Sequence, residues 1–152
     1  MDKTWNSLKR IANGDYVLEG DLISEDTMEI DLDDRLVVRS SVISKQAIVV
    51  RWGIKATCSI EAGCSIKSGY DIEAGGSIKA GWGIEAGEGI EAGDGIVAGL
   101  GIKAGSYIHA EKRIFAGVSV YHTSENCKKT IRCAELRNGE ICYGDLVIMN
   151  DE

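Results

Sequence analysis

The stretch Ile60-Glu61-Ala62-Gly63-Cys64-Ser65-Ile66-Lys67-Ser68-Gly69-Tyr70-Asp71-Ile72-Glu73-Ala74-Gly75 decides the fold. Its unit, Ile-x-Ala-Gly-x-small, recurs every six residues from Ile54 to about Val120, with glycine in the fourth slot at 63, 69, 75, 81, 87, 93, 99, 105 and 117. A fixed short period of this kind belongs to a repeat architecture, in which each unit buries its apolar side only against its neighbours. Residues two apart on a strand point the same way. Ile and Ala therefore face inward together, the residue between them faces outward, and Gly turns the corner.

Carried backwards, the phase lands on Ile48, Val42, Leu36 and Ile30, followed two residues later by Val50, Ser44, Val38 and Leu32. This places the start of the periodic fold near Ile30. The outward residues then set the number of faces per coil. Equivalent sites on successive coils lie about 4.8 Å apart, where like charges destabilise and opposite charges stabilise. Two faces per coil would stack Lys55 on Lys67 and Glu61 on Glu73. Three faces stack Lys55 on Glu73, Glu61 on Lys79, Lys67 on Glu85 and Glu85 on Lys103, leaving one like pair, Glu73 with Glu91. The charges thus predict an all-β, three-faced parallel β-helix with about 18 residues per coil, roughly five coils and about 25 Å tall.

The flanks predict caps. Trp5, Leu8, Ile11 and Ala12 share one face of a short helix over residues 3–12, with Asn13-Gly14 as its stop. Tyr16–Ile23 reads as strand. Thr130–Leu136 and Ile141–Met149 flank Arg137-Asn138-Gly139, a strong hairpin signal. The expected organisation is one domain: a helical cap over 1–14, the solenoid over 15–121 and a hairpin cap over 122–152.

Composition narrows the function. The chain has 152 residues, 19 of them Gly, no Pro, and a net charge of −7. Its basic residues never run longer than pairs such as Lys9-Arg10, which argues against direct nucleic-acid binding. No stretch approaches membrane-spanning length, and the first residues lack the apolar core of a signal peptide. The five cysteines, Cys58, Cys64, Cys127, Cys133 and Cys142, are expected to be reduced, in a cytoplasmic protein. Cys58 and Cys64 occupy equivalent positions on adjacent faces, too far apart for a disulfide.

Catalytic signals are sparse. His109 falls in an outward slot, one coil above Glu91, and reads as a solvated histidine beside a carboxylate. His122, Cys127, Cys133 and Cys142 lack the short Cys-x2-Cys spacing of a specific zinc site. Gly81-Trp82-Gly83 and Gly99-Leu100-Gly101 are products of the repeat, without the strand-then-helix context of a phosphate loop. No cofactor, metal or catalytic residue is expected.

Two features point to partner binding. An acidic block, Asp15, Glu19, Asp21, Glu25, Asp26, Glu29, Asp31, Asp33 and Asp34, contains no Lys or Arg through residue 34; it reads either as a solvated face or as a patch for a basic partner surface. The three-face register also gathers Trp82, Leu100 and Val118 into one outward stack and Val97 with Phe115 into another. A contiguous apolar patch marks an interface, or else is covered by the C-terminal segment; if it is free, a two-fold homodimer is the simplest consequence. Trp52 and Tyr70 form a smaller stack.

The six-residue period resembles the hexapeptide-repeat left-handed β-helix superfamily, though with the aliphatic ahead of the small residue. That resemblance implies a trimeric acyltransferase-like enzyme. Val17-Leu18-Glu19-Gly20-Asp21-Leu22 and the three-faced coil are similar to bactofilins, which implies a self-assembling structural protein. The Ser/Gly-Ile-Lys/Glu-Ala-Gly runs, followed by Ile131-Arg132-Cys133-Ala134-Glu135-Leu136, resemble small proteins of phages and bacterial mobile elements. This last resemblance implies an inhibitor of a host defence complex, of anti-CRISPR or anti-restriction type, whose acidic surface mimics nucleic acid. The expectation is a non-catalytic protein–protein interaction module.

Overall fold

The computed structural model describes residues 8–118 and 129–149, which form a parallel β-solenoid of about seven turns. Three ladders make its faces. Face 1 stacks β2 (Tyr16–Leu18), β5 (Leu36–Val38), β8 (Ile54–Ala56), β11 (Ile72–Ala74), β14 (Ile90–Ala92) and the first half of β17 (Tyr107–Ala116). Face 2 stacks β3 (Leu22–Ser24), β6 (Val42–Ser44), β9 (Ile60–Ala62), β12 (Ile78–Ala80), β15 (Ile96–Ala98) and the second half of β17. Face 3 stacks β4 (Met28–Ile30), β7 (Ile48–Val50), β10 (Ile66–Ser68), β13 (Ile84–Ala86), β16 (Ile102–Ala104), β18 (Thr130–Cys133) and β20 (Asp145–Ile148). β19 (Glu135–Tyr143) wraps over β17 as part of the last coil.

The eighteen-residue register holds through the repeat: Lys55 pairs Glu73, Glu61 pairs Lys79, Lys67 pairs Glu85, Glu85 pairs Lys103, and Glu73 pairs Glu91. Of these neighbours, only Lys55 and Glu73 close to an ion pair, at 3.2 Å. The charges mark the register more than they hold it, as expected of exposed pairs worth about 0–1 kcal/mol.

The interior does the holding. Every in-phase isoleucine from Ile48 to Ile114 is at most 1% exposed, and the Ala row beside them at most 8%. Each such isoleucine contributes roughly 1.5–3 kcal/mol by leaving water. Two serines interrupt the Ala row, and both are satisfied by corner carbonyls. Ser44 Oγ donates to Asp26 O at 2.8 Å, and Ser68 Oγ donates to Trp52 O at 2.5 Å. The corners themselves are hydrogen-bonded coil to coil, as in Trp82 N–H to Cys64 O at 3.1 Å and Leu100 N–H to Trp82 O at 3.0 Å. Glycine is needed there for closeness: a Cβ on Gly81 would strike the carbonyl oxygen of Gly63 one coil below.

Five expectations are corrected. The solenoid has about seven coils, not five, because it starts and ends outside the visible repeat. Its first coil begins at Tyr16 and is twenty residues long, with Tyr16 over Leu36 and Met28 over Ile48. The two extra residues lie in the corner between Ile30 and Leu36. The phase therefore slips there: Ile30 fills the second inward slot rather than the first, and Leu32 sits in the corner. Tyr16–Ile23 is accordingly two strands split by the Glu19–Gly20–Asp21 corner.

At the N-terminus, the described part of the expected helix, residues 8–12, holds a two-residue strand and the start of a turn instead. β1 (Lys9–Arg10) pairs antiparallel with β2, Lys9 opposite Val17. Asn13-Gly14, read as a helix stop, turns a hairpin instead. Gly14 has φ +98°, its N–H donates to Ile11 O at 3.0 Å, and Ile11 N–H donates to Asp15 O at 2.9 Å. Residues 3–7 of the expected helix lie outside the described residues, and among those described there is no helix.

The C-terminal hairpin is likewise replaced by solenoid. β18 continues face 3 on β16, β20 stacks on β18, and Ile108 and Ile114 are topped by Leu136 and Ile141 of β19. Asn138-Gly139 lies inside β19, where Gly139 takes φ +127° at an irregular register. Parallel stacking on the preceding coil buries both edges of a strand, whereas a hairpin would leave the top of β16 and β17 unpaired.

Candidate functional site

The acidic block is placed on the first coil, and the second coil answers it. Twenty residues after four of the nine acids stands a base: Asp15 with Arg35 at 2.8 Å, Glu19 with Arg39 at 3.3 Å, Glu25 with Lys45 at 2.6 Å, and Asp31 with Arg51 at 3.1 Å. Asp21 accepts from Ser40 Oγ and from Ser41 N–H at 3.0 Å. Asp33 accepts from Tyr16 OH at 2.7 Å and lies 3.8 Å from Arg10. Asp34 accepts from the neighbouring Arg35 N–H at 2.8 Å. Asp26 and Glu29 are exposed.

The nine acids are therefore no uniform negative patch. Asp15 leaves the surface altogether: it is 7% exposed, held by Arg35 and the Asn13 side-chain amide. The linear gap between acids and bases concealed this pairing, because the twenty-residue coil is invisible until the corner insertion is known. The hydrogen bonds have consequences. The Ser40 hydroxyl, then the Ser41 N–H, holds the Asp21 carboxyl below its usual range, and the Tyr16 hydroxyl does the same for Asp33.

The apolar residues come together as the register implied. Val97 and Phe115 are direct ladder partners on face 2, and Tyr143 extends their row into the last coil. Trp82, Leu100 and Val118 occupy the adjoining corner, with Trp82 47% and Val118 41% exposed. Val97, Phe115 and Leu100 are half-buried. A groove of about 610 Å³ runs beside Val97 and Phe115, bounded by Lys112, Arg113 and Glu140. Trp52 and Tyr70 stack as expected, with ring centroids 4.6 Å apart and planes 3° from parallel.

Sequence reasoning missed the C-terminal end. Leu146 and Ile148 stand in register with Ile131 and Cys133, the inward positions of β18. Ile131 and Cys133 are 0% exposed, yet Leu146 is 41% and Ile148 45% exposed. Leu136 and Ile141 beside them are only partly buried. β20 pairs only with β18, so its outer edge has no strand beyond it among the described residues. The opposite end differs: Leu18, Leu22, Met28 and Ile30 are at most 5% exposed, Leu8 packs on them, and β1 covers the edge of β2. A clue lay in the run Leu146-Val147-Ile148, whose continuous apolar character fits a strand covered on both sides.

The titratable candidates stay dispersed. His109 pairs in register with Glu91 as expected, and its Nε2 lies 2.6 Å from Glu111 Oε1. Cys58 and Cys64 are unbridged, Cys133 is buried in the core, and Cys142 is exposed on β19; burial raises the Cys133 thiol above its usual range. His122 and Cys127 lie outside the described residues. Among those described, no three metal-ligating side chains converge and no helix is long and apolar enough to cross a membrane. No family model, curated protein or solved structure matches the chain.

Proposed function

We propose that the protein is a non-catalytic scaffold that acts by binding protein surfaces, with its C-terminal end as the contact and a second copy of the chain as the occupant. One observation carries this reading: the inward aliphatics Leu146 and Ile148 are 41% and 45% exposed in a ladder whose other members are buried. An open solenoid end with aliphatic side chains and an unpaired strand edge is a template for further strand pairing. The Val97–Phe115–Tyr143 row and the Trp82–Leu100–Val118 corner extend this apolar surface along the prism.

Self-complementarity favours a second copy. Glu135, Arg137, Glu140, Asp145 and Lys129 border the end, mixing both signs, so a two-fold axis lets acids of one chain meet bases of the other. At the N-terminal end the inward residues Leu18, Leu22, Met28 and Ile30 are at most 5% exposed, so the described residues there present no matching row of exposed inward aliphatics. The contact is therefore tail to tail and closed, a pair rather than the filament of a bactofilin-like assembly. In the mobile-element setting, such a pair would present its apolar sides to a host complex. The ion-paired acidic coil gives charge mimicry little support.

Light scattering tests the reading. The wild type should be a dimer, and Leu146→Lys with Ile148→Lys should be a monomer with an unchanged far-ultraviolet spectrum. A monomeric wild type, or wild-type filaments, would overturn it.

A further inference from the structure

We infer that face 3 carries a binding site for a phosphate or short polyphosphate group, built from Lys67, Lys103 and Arg132 with the hydroxyls of Ser65 and Thr130. These residues border a shallow groove of about 300 Å³ that also contains Glu85. The site is independent of the proposed end-to-end contact.

Register brings the cations together. The outward row of face 3 reads Lys67, Glu85, Lys103, Arg132, each one rung from the next. Lys103 and Arg132 are direct neighbours, about 4.8 Å apart along the ladder, in an arrangement that like charges disfavour. Six cations elsewhere are closely answered, although Lys9 and Lys79 also form no ion pair among the described residues. Arg35, Arg39, Lys45, Arg51, Lys55 and Lys112 each lie within 3.3 Å of a carboxylate oxygen. Lys67, Lys103 and Arg132 form no ion pair among the described residues, although Glu85 stands between the two lysines.

Arg132 adds a second observation. It is half-buried, and its Nε is shut off from solvent with no hydrogen-bond partner among the described residues; Arg35 Nε is the same, but there the guanidinium is already engaged by Asp15, whereas Arg132 has no carboxylate. An unsatisfied buried donor is uncommon and calls for an explanation. A guanidinium beside an ammonium and a threonine hydroxyl suits the tetrahedral oxygens of phosphate, which accept from a planar fork and a point charge together. Lys67, two rungs from Lys103, reaches a second phosphate of an extended group. A single short column on an acidic chain lacks the spread of basic contacts that nucleic acid requires, so the ligand is small.

Calorimetric titration of the full chain at constant ionic strength tests the site, using inorganic phosphate, pyrophosphate and an oligoglutamate peptide as separate probes. Pyrophosphate should bind one site per chain, more tightly than phosphate. Lys103→Gln with Arg132→Gln should weaken it roughly tenfold or more. Glu85→Gln should tighten it, because the carboxylate that competes with the ligand is gone. Lys79→Gln on face 2 should leave it unchanged, and circular dichroism confirms that each variant is folded. No pyrophosphate binding, equal binding by the double variant, or tighter binding of oligoglutamate than of pyrophosphate would each overturn the assignment.

Discussion

Cutting the same kind of side chain at two levels of one core separates a covered end from an open one. Ile78 is 0% exposed between Ile60 and Ile96. Ile78→Ala removes three carbons, about 2.4 kcal/mol by transfer alone, and the cavity raises the expected cost to roughly 2–5 kcal/mol. Leu146→Ala also removes three carbons, but Leu146 is 41% exposed and roofs no closed cavity. Within a single chain only about six-tenths of the transfer term applies, near 1.4 kcal/mol. In a tail-to-tail pair Leu146 is covered, and its loss rises to roughly 2–4 kcal/mol. Urea denaturation at two protein concentrations, roughly hundredfold apart, reads the difference, because only the associated form gains stability with concentration. Ile78→Ala should cost much the same at both concentrations, and Leu146→Ala should cost more at the higher one. A Leu146→Ala cost near 1.4 kcal/mol at both concentrations refutes the second copy. A cost equal to that of Ile78→Ala at both means that the end is covered within one chain.

Two further outcomes concern the first coil. Arg35→Met strands the Asp15 carboxylate, which is 7% exposed, and should cost about 2 kcal/mol or more in denaturant midpoint measurements, with Asp15→Asn in the same chain restoring part of the loss; a neutral single variant would show the pair to be dispensable. For acid stability, the hydroxyl of Ser40 lowers the Asp21 pKa and that of Tyr16 lowers the Asp33 pKa. Folding favours their charged forms, so their contribution is fully present above the ordinary carboxylate value of about 4 and is lost as pH falls through the lowered folded values. The melting temperature should drop in that acid range, less steeply in Asp21→Asn with Asp33→Asn; an identical acid limb in the variant assigns the loss to other groups.

The first coil shows why parts of the fold were hard to read. Strand residues there are ordinary, Tyr16–Leu18 and Leu22–Ser24, but the two-residue insertion before Leu36 shifts the inward phase and hides the coil from a six-residue count. Asn13-Gly14 and Asn138-Gly139 are local turn signals that tertiary context resolves differently, the first into a hairpin and the second into an irregular strand. The Trp52–Tyr70 stack and the Val97–Phe115 pair were legible because they follow from the register alone. The open end at Leu146 and Ile148 was not, since exposure depends on what lies above a strand.

By itself the sequence determined the repeat, the inward Ile and Ala rows and the eighteen-residue coil. All three are consequences of local periodicity and of which charges tolerate each other one rung apart. The folded arrangement alone settles where the solenoid starts, that Glu19, Glu25 and Asp31 are answered by Arg39, Lys45 and Arg51, that Lys103 and Arg132 meet without a carboxylate between them, and that the inward residues are buried at one end and exposed at the other. These depend on contacts between separate strands of neighbouring coils, where the two-residue corner insertion changes every partner on the first coil and local pattern carries no information.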